Sequence, residues 1–222
     1  IGDDPDVHNI NLGCGSVKPQ LMLEMMSVIP GGDRESSPNE HPLPGSPVKR
    51  GITYDAAFAF DGDGDRVVAV SRNGILKTGD DILAILSTHP DFAKIPGVVG
   101  TILSNEGLAA HLAKQGKILV RANVGERPID ELLHKHRWPL GGEIAGHILC
   151  KEHLDSSDGI YVALKVLETM SLADNWDMDT FEPYPQATKN IPAPTKPDLT
   201  HEPYATILRT AADEIPDGRI VV

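Results

Sequence analysis

Three aspartates at alternate positions are the strongest chemical signal in this sequence. They are Asp61, Asp63 and Asp65, in the run Asp-Gly-Asp-Gly-Asp-Arg. Carboxylates this close disfavour one another's ionisation, and a divalent cation removes that conflict. The glycines between them leave the backbone free to turn all three towards one point, and all-oxygen ligation suits Mg²⁺, Mn²⁺ or Ca²⁺. Because the next residue, Arg66, can donate two parallel hydrogen bonds to a phosphate, the run predicts metal-assisted phosphoryl chemistry.

The same six residues, 61–66, allow other interpretations. An exposed acidic turn without a metal would not need the alternation of Gly and Asp. An EF-hand loop requires Gly at its sixth position and Glu at its twelfth, where this chain has Arg66 and Arg72, so that motif is excluded. An aspartyl-phosphate phosphatase would use Asp61 as nucleophile and Asp63 as general acid and base, with Asp65 in place of the usual threonine. This last alternative stays open.

The aspartate run is predicted to lie between two short strands, Ala56–Phe60 and Val67–Val70, with a helix beginning near Asp80. From Val98 onwards, apolar strand patterns alternate with helical patterns. This order is typical of layered α/β folds, in which ligands bind beyond the carboxyl ends of the strands. The predicted strands are Val98–Leu103, Lys117–Val124 and His147–Cys150. The predicted helices run from a Ser104 cap to Gln115, from Pro128 through Leu133, and from about Asp158 to Ala173, the last with an apolar stripe of Ile160, Ala163, Leu164, Leu167 and Met170.

The two ends of the chain have weaker patterns. Helical spacing of apolar residues follows a Ser16 cap up to Val28, and a proline-rich stretch, residues 30–54, is predicted to be a surface insertion. Beyond a polar stretch at 175–184, the pattern predicts a strand near 186–191, a helix near 204–213 and a strand at 219–222. Because the chain begins with Ile1 rather than Met, we expect it to be a piece of a longer polypeptide.

Composition excludes several classes of partner. The 222 residues carry 32 acidic and 20 basic side chains, a formal charge of −12, which disfavours nucleic acid and anionic membranes as partners. The chain has only two cysteines, which cannot form a disulfide framework. A cytoplasmic, reducing location is therefore expected.

Several motifs in one order resemble the α-D-phosphohexomutase superfamily, and its phosphoglucosamine mutases in particular. The residues 59–66 are similar to the metal-binding loop of that superfamily, and Gly141 to His147 are similar to its sugar-recognition loop. Further similar segments are Asn9-Ile10-Asn11 with Cys14-Gly15-Ser16, Val99-Gly100-Thr101 with Ser104-Asn105, Val124-Gly125-Glu126-Arg127, Tyr184-Pro185-Gln186 through Asn190, and Asp217-Gly218-Arg219.

This resemblance implies layered α/β domains with mixed sheets and the start of an α+β C-terminal domain. Residues 1–72 are expected to be the end of domain 2, with the insertion at 30–54. Residues 73–176 are expected to be domain 3, and residues 177–222 the start of domain 4.

The resemblance also implies a reaction and its site. A phosphoserine and a bisphosphorylated sugar would interconvert glucosamine 6-phosphate and glucosamine 1-phosphate. The implied ligands of Mg²⁺ are Asp61, Asp63 and Asp65, the implied catalytic residues Arg66 and Arg127, and the implied substrate-binding residues Glu143, Gly146 and His147. The partner would be a phosphorylated hexosamine or hexose.

Two departures from the resemblance leave the function open. The superfamily's serine loop, roughly Ser/Thr-Ala-Ser-His-Asn, does not occur in this sequence. A non-catalytic metal-binding fragment is therefore an alternative. Because Ala145 stands where the superfamily's sugar loop has a serine, phosphomannomutase or phosphoglucomutase activity is another, and the oligomeric state is undetermined.

Overall fold

A computed structural model describes residues 54–189, 192, 195, 197–215 and 218–221. The helix predicted after Ser16 and nearly all of the proline-rich 30–54 stretch lie outside the described residues. The chain divides into two compact units, Ile1–Tyr184 and Pro185–Val222. Within the part of the chain that the structure describes, every helix is too short or too polar to cross a bilayer.

The first sheet has three antiparallel strands in the order β1-β2-β3, which are β1 (Ala56–Phe60), β2 (Val67–Ser71) and β3 (Leu76–Lys77). Phe60 lies opposite Val67, so the aspartate run forms the loop that joins β1 to β2. All five residues of β2 are buried. The predictions for β1 and β2 are confirmed to within one residue, whereas β3 was missed because two residues show no periodicity.

The second sheet contains both parallel and antiparallel pairs. Its strands, in the spatial order β5-β4-β6-β7, are β4 (Gly97–Thr101), β5 (Ile118–Ala122), β6 (Leu140–Gly142) and β7 (Ile148–Cys150). β4 runs parallel to β5 and to β6, and β7 runs antiparallel to β6. The expectation of mixed sheets is confirmed. The sequence analysis missed β6, because its two glycines indicated a loop.

Among the described residues of the first unit, the helices that pack on these sheets are α1 (Gly79–Leu86), α2 (Glu106–Lys114), α3 (Glu126–His136) and α4 (Gly159–Ala173). A 3₁₀ turn at Pro90–Phe92 follows α1. The core is aliphatic, and its fully buried side chains include Ile82, Leu83, Leu86, Leu108 and Met170. This packing fixes α1 and α4 against the sheets.

Two predictions about helix detail were wrong. The cap of α2 is Asn105, whose side chain accepts a hydrogen bond from Gly107 N at 2.8 Å. Ser104 instead accepts a hydrogen bond from Thr101 N at 3.0 Å, which closes the turn after β4.

The apolar stripe of α4 was the second error. Ala163 and Met170 are buried as expected, but Ile160 and Leu164 are 60 % and 61 % exposed. The buried side also contains Val162, Val166 and Thr169. Because this helix is apolar around most of its circumference, its sequence contains two overlapping stripes, and only packing determines which one faces the core.

The second unit contains α5 (Tyr204–Glu214), which confirms the predicted helix to within one residue. None of its residues is buried. Residues 186–189 and 219–221, the described parts of the two strands predicted there, are not in strands. A strand requires a neighbouring strand for its backbone hydrogen bonds, and an apolar run alone does not supply one.

Candidate functional site

The three aspartates converge at the end of β1. One carboxylate oxygen from each of Asp61, Asp63 and Asp65 lies within 4.8 Å of the others. Asp61 is buried, Asp63 is exposed and Asp65 is intermediate. A cation could therefore reach the group from solvent while one ligand remains anchored in the protein. This set of hard oxygen donors fits a divalent cation such as Mg²⁺.

Hydrogen bonds within the loop orient these carboxylates. Gly64 N donates to Asp61 O at 3.2 Å, and Arg66 N donates to Asp61 Oδ1 at 3.1 Å. Gly64 has a φ of +76°, a conformation that glycine adopts without steric cost. The sequence-based inference that glycine lets this loop turn is confirmed at Gly64.

The charges of the loop are only partly balanced. Burial raises the pKa of Asp65 and the Asp61 carboxylate adds to that effect, while His147 opposes both. The Arg66 Nε atom lies 3.6 Å from Asp61 Oδ2 and 3.9 Å from Asp65 Oδ1. With its side chain 42 % exposed, Arg66 contacts the aspartates and still reaches solvent. A cation at the aspartates would offset the unfavourable concentration of negative charge.

His147 lies beside the aspartate loop, although it is distant in sequence. Its Nδ1 atom is 3.1 Å from Asp65 Oδ2, and its Nε2 atom is 3.5 Å from Glu126 Oε2. His147 is buried, and its backbone forms an antiparallel β-bridge with Arg66. The structure thus places an imidazole between two carboxylates, one of them a candidate metal ligand.

Gly146 brings the 143–147 loop into direct backbone contact with β2. Its carbonyl accepts a hydrogen bond from Val67 N at 3.0 Å, and its φ is +92°. A Cβ atom at this position would lie 2.1 Å from Val67 O, so only glycine fits here. The predicted substrate-binding loop and the predicted metal loop are therefore one hydrogen-bonded unit.

Glu143 occupies the opposite end of the same loop. Its Oε1 atom accepts a hydrogen bond from Gly125 N at 2.6 Å, just before α3. Close backbone packing supports this arrangement, because Gly79 N donates to Ile144 O at 2.9 Å and a Cβ on Gly79 would lie 1.9 Å from Glu143 O. Glu143 is only partly buried, so part of it remains accessible.

Arg127 is not gathered with the other predicted site residues. Its side chain is 89 % exposed, and Nε donates to Glu131 Oε1 at 3.0 Å along the surface of α3. The adjacent Glu126 is the residue from this segment that reaches His147. Sequence analysis did not single out Glu126 for the site, because nothing in its local pattern indicates which side chain of the first turn faces the sheet.

Two residues near the start of α4 were not predicted to belong to the site. These are Ser157, which precedes the helix, and Gly159, its first residue. The Ser157 hydroxyl lies 2.5 Å from Asp65 O, and Gly159 N donates to Gly64 O at 2.9 Å. The available local signal was the helix start near Asp158. That signal predicts a cap, and it carries no information about a loop more than ninety residues earlier.

A cavity of about 310 Å³ lies elsewhere in the first unit. Its lining includes Trp138 and Lys151 at the far end of α3, and none of the predicted site residues. The charge of Lys151 is already paired with Asp130 and Asp155. The convergent polar groups therefore favour the aspartate loop as the functional site.

Comparison with known proteins gives the same assignment as the motifs. Residues 78–182 match the profile of phosphoglucomutase/phosphomannomutase, alpha/beta/alpha domain III. A phosphoglucosamine mutase of Azoarcus sp. (strain BH72) is 34 % identical over 219 residues, which cover 96 % of this chain and 43 % of that protein. A phosphoglucosamine mutase of Methylobacillus flagellatus is 38 % identical over 206 residues, covering 90 % of this chain and 40 % of that protein. Residues 78–182 are therefore similar to domain III of the phosphoglucomutase/phosphomannomutase family, and the chain as a whole is similar to phosphoglucosamine mutases.

A solved superfamily structure has the same α/β fold. A candidate phosphomannomutase from Thermus thermophilus is 27 % identical, with a TM-score of 0.50 over 55 % of this chain and 28 % of that chain. The predicted class of layered α/β domains with mixed sheets is therefore confirmed, whereas the start of an α+β C-terminal domain stays a prediction. The chain spans about two fifths of the length of the superfamily members named phosphoglucosamine mutase above.

Proposed function

We propose that this chain is the central part of a phosphoglucosamine mutase that interconverts glucosamine 6-phosphate and glucosamine 1-phosphate. The observation that carries the proposal is the junction between two loops. The candidate metal ligand Asp65 contacts His147, and Val67 N binds Gly146 O. Transfer of a phosphoryl group between a phosphoserine held at the metal and a bound sugar requires the metal loop and the sugar-binding loop to lie next to each other.

The aspartate loop would provide the electrostatic part of the reaction. We assign Asp61, Asp63 and Asp65 as the ligands of Mg²⁺. The bound ion would neutralise negative charge on the transferring phosphoryl group. Arg66, partly exposed beside the aspartates, would donate hydrogen bonds to the same phosphate.

The 143–147 loop would bind and orient the sugar. Glu143 would accept hydrogen bonds from sugar hydroxyls, and Gly146 would allow the loop to approach β2. His147 would contact the phosphate or move a proton at Nε2. We assign Arg127 to phosphate binding. Its side chain, exposed on the first turn of α3, would rotate away from Glu131 to reach the phosphate.

The domain limits form part of the proposal. Residues 1–72 would belong to domain 2, residues 73–176 would be domain 3, and residues 177–222 would begin domain 4. The phosphoserine would come from outside these 222 residues, since the serine-loop motif does not occur in them.

A coupled assay on the full-length protein that contains this chain tests the activity. We expect turnover of glucosamine 6-phosphate in the presence of Mg²⁺, and loss of that turnover in Asp63→Asn. Turnover of mannose or glucose phosphates without any turnover of glucosamine phosphate would contradict the substrate assignment.

Two further measurements separate the alternatives. The 222-residue chain alone is expected to bind Mg²⁺ weakly and to show no mutase turnover, because it has no serine loop. An acid-labile acyl phosphate on Asp61, detected by mass spectrometry after exposure to substrate, would instead support the phosphatase interpretation.

A further inference from the structure

The aspartate loop receives hydrogen bonds on its outer side from the segment that opens α4. Gly159 N donates to Gly64 O at 2.9 Å. The Ser157 hydroxyl lies 2.5 Å from Asp65 O and 2.8 Å from Ile148 O. Two consecutive carbonyls of the loop are therefore within hydrogen-bond distance of one short segment, and the Ser157 hydroxyl also lies within that distance of a carbonyl of β7.

The Ser157 hydroxyl can donate its hydrogen bond to the Asp65 carbonyl or to the Ile148 carbonyl. A hydroxyl has one proton, so Ser157 donates to one of the two carbonyls at a time, and the Asp65 carbonyl is the nearer. Fixing the carbonyls of Gly64 and Asp65 restricts the backbone dihedrals of Asp65. Those dihedrals set the direction of the Asp65 carboxylate, which is one of the three that converge.

The Ser157–Gly159 segment is itself firmly anchored. Asp158 caps α4 by accepting a hydrogen bond from Tyr161 N at 3.0 Å, and this bond lowers the pKa of the Asp158 carboxyl. A Cβ on Gly159 would lie 2.8 Å from Gly64 O and 2.9 Å from Arg66 O, so the close approach depends on glycine. Behind the cap, α4 is held by the buried side chains of Val162 and Val166.

We propose that Ser157 is a positioning residue for the metal ligands, acting through its hydrogen bond to the Asp65 carbonyl. This inference rests on the proposed function, in which Asp61, Asp63 and Asp65 bind a divalent cation. A cation requires its ligands in one arrangement, and each backbone constraint that favours this arrangement before binding raises the affinity. Removal of the Ser157 hydroxyl leaves all three carboxylates in place and lets the peptide that carries one of them move.

The test measures cation affinity directly in the full-length protein that contains this chain. Mn²⁺ binding is followed by electron paramagnetic resonance and Mg²⁺ binding by titration calorimetry, in the wild type, Ser157→Ala and Ser157→Thr. We expect Ser157→Ala to bind roughly five- to tenfold more weakly. Ser157→Thr keeps the hydroxyl and is expected to stay within about threefold of the wild type.

Ser87→Ala is the matched control. Like the Ser157 hydroxyl, the Ser87 hydroxyl donates to a backbone carbonyl, that of Ala84 at 2.7 Å, but Ser87 follows the last residue of α1 and is fully buried, whereas Ser157 is only partly buried. We expect this variant to lose at least as much stability as Ser157→Ala and to keep wild-type cation affinity. If Ser157→Ala does not fold, Ser157→Cys replaces it, since a thiol of similar size is a much weaker donor.

The possible results distinguish failure of the positioning role of Ser157 from failure of the proposed metal site. Equal cation affinity in the wild type and Ser157→Ala would overturn the positioning role alone. Equal weakening in Ser157→Ala and Ser87→Ala would also overturn it, because the effect would then follow from stability. A wild type that binds no cation would overturn the proposed metal site itself.

Discussion

Nδ1 of His147 lies 3.1 Å from Oδ2 of Asp65, so the 143–147 loop and the aspartate loop meet through a side-chain contact. The backbone reinforces that contact through the hydrogen bond from Val67 N to Gly146 O at 3.0 Å. Residues that the motifs would assign to two different domains are therefore in contact at the candidate site. A change on either loop is expected to affect the other.

Asp63→Asn should weaken cation binding at least tenfold without lowering the stability of the protein. Asp63 is the exposed member of the triad, and its charge adds to the repulsion among the three carboxylates. In the absence of metal, we expect the free energy of unfolding of the variant to equal that of the wild type or to exceed it by up to about 1 kcal/mol. Mg²⁺ should stabilise the variant less than it stabilises the wild type, because the affinity of the variant for Mg²⁺ is at least tenfold lower, which corresponds to about 1.4 kcal/mol of binding free energy.

Thermal unfolding with and without Mg²⁺ measures this effect. Asp213→Asn makes the same charge change on α5 and should keep the full shift produced by Mg²⁺. An equal shift in Asp63→Asn and the wild type would exclude Asp63 as a ligand.

Gly146→Ala should destabilise the protein strongly. The positive φ alone costs a non-glycine residue about 1–2 kcal/mol, and the added Cβ would also collide with Val67 O, at 2.1 Å. Because this collision is with backbone, β2 or the loop has to move, and we expect a total loss of more than about 3 kcal/mol in urea unfolding. Gly116→Ala is the control, since Gly116 has a φ of +73° and no heavy atom within 4 Å of its Cβ position. If both variants lose the same stability, the close approach to Val67 has no energetic importance.

Glu143→Ala and Glu143→Gln should separate a structural role from a binding role. The carboxylate accepts a hydrogen bond from Gly125 N at 2.6 Å, and its removal should cost about 1 kcal/mol of unfolding free energy. Gln keeps an acceptor oxygen, so Glu143→Gln should unfold nearly as the wild type does. On the proposed function, both variants should raise KM for the sugar phosphate in the full-length protein, because a carboxylate accepts hydrogen bonds from hydroxyls more strongly than an amide does.

Glu168→Ala is the control for Glu143. The exposed Glu168 pairs with Lys165 at a spacing of three residues on α4, which is worth a few tenths of a kcal/mol, and neither residue is assigned to the site. The KM of Glu168→Ala should equal that of the wild type if the interpretation of Glu143 is correct. An unchanged KM in Glu143→Gln would remove Glu143 from the binding site.

Asp80 should make stability depend on pH. Asp80 is buried, its Oδ2 accepts a hydrogen bond from Asn105 N at 2.7 Å, and burial raises the pKa of its carboxyl. A raised pKa means that the folded state holds the proton more tightly than the unfolded state. The free energy of unfolding should therefore decrease as the pH rises from the unfolded-state pKa, about 3.9, through the raised pKa.

Asp80→Asn should remove this decrease, because the amide does not ionise and still offers an oxygen to Asn105 N. Asp80→Ala should cost about 1–3 kcal/mol at every pH, since the buried N–H then loses that acceptor. Urea unfolding of the three proteins across the acidic range tests both statements. Parallel pH curves for the wild type and Asp80→Asn would show that the Asp80 pKa is not raised.

Local patterns were sufficient to predict the parts of the fold with strong periodicity. β1, β2 and α5 lie within a residue of their predicted limits, because an apolar run and a helical repeat are properties of neighbouring residues. The two-residue strand β3 and the glycine-containing strand β6 could not be found this way. Each becomes a strand only because another strand lies beside it.

By itself, the sequence determined which oxygen donors the aspartate run offers, since three alternating carboxylates separated by two glycines form a candidate site for a divalent cation. Only the tertiary structure decided which distant groups complete the site. His147 and Glu126 approach through the packing of α3 and β7, and Ser157 approaches through the start of α4. These contacts join residues far apart in the chain, and their geometry depends on how buried side chains fill the core. That packing is a property of the whole fold, and no local pattern contains it.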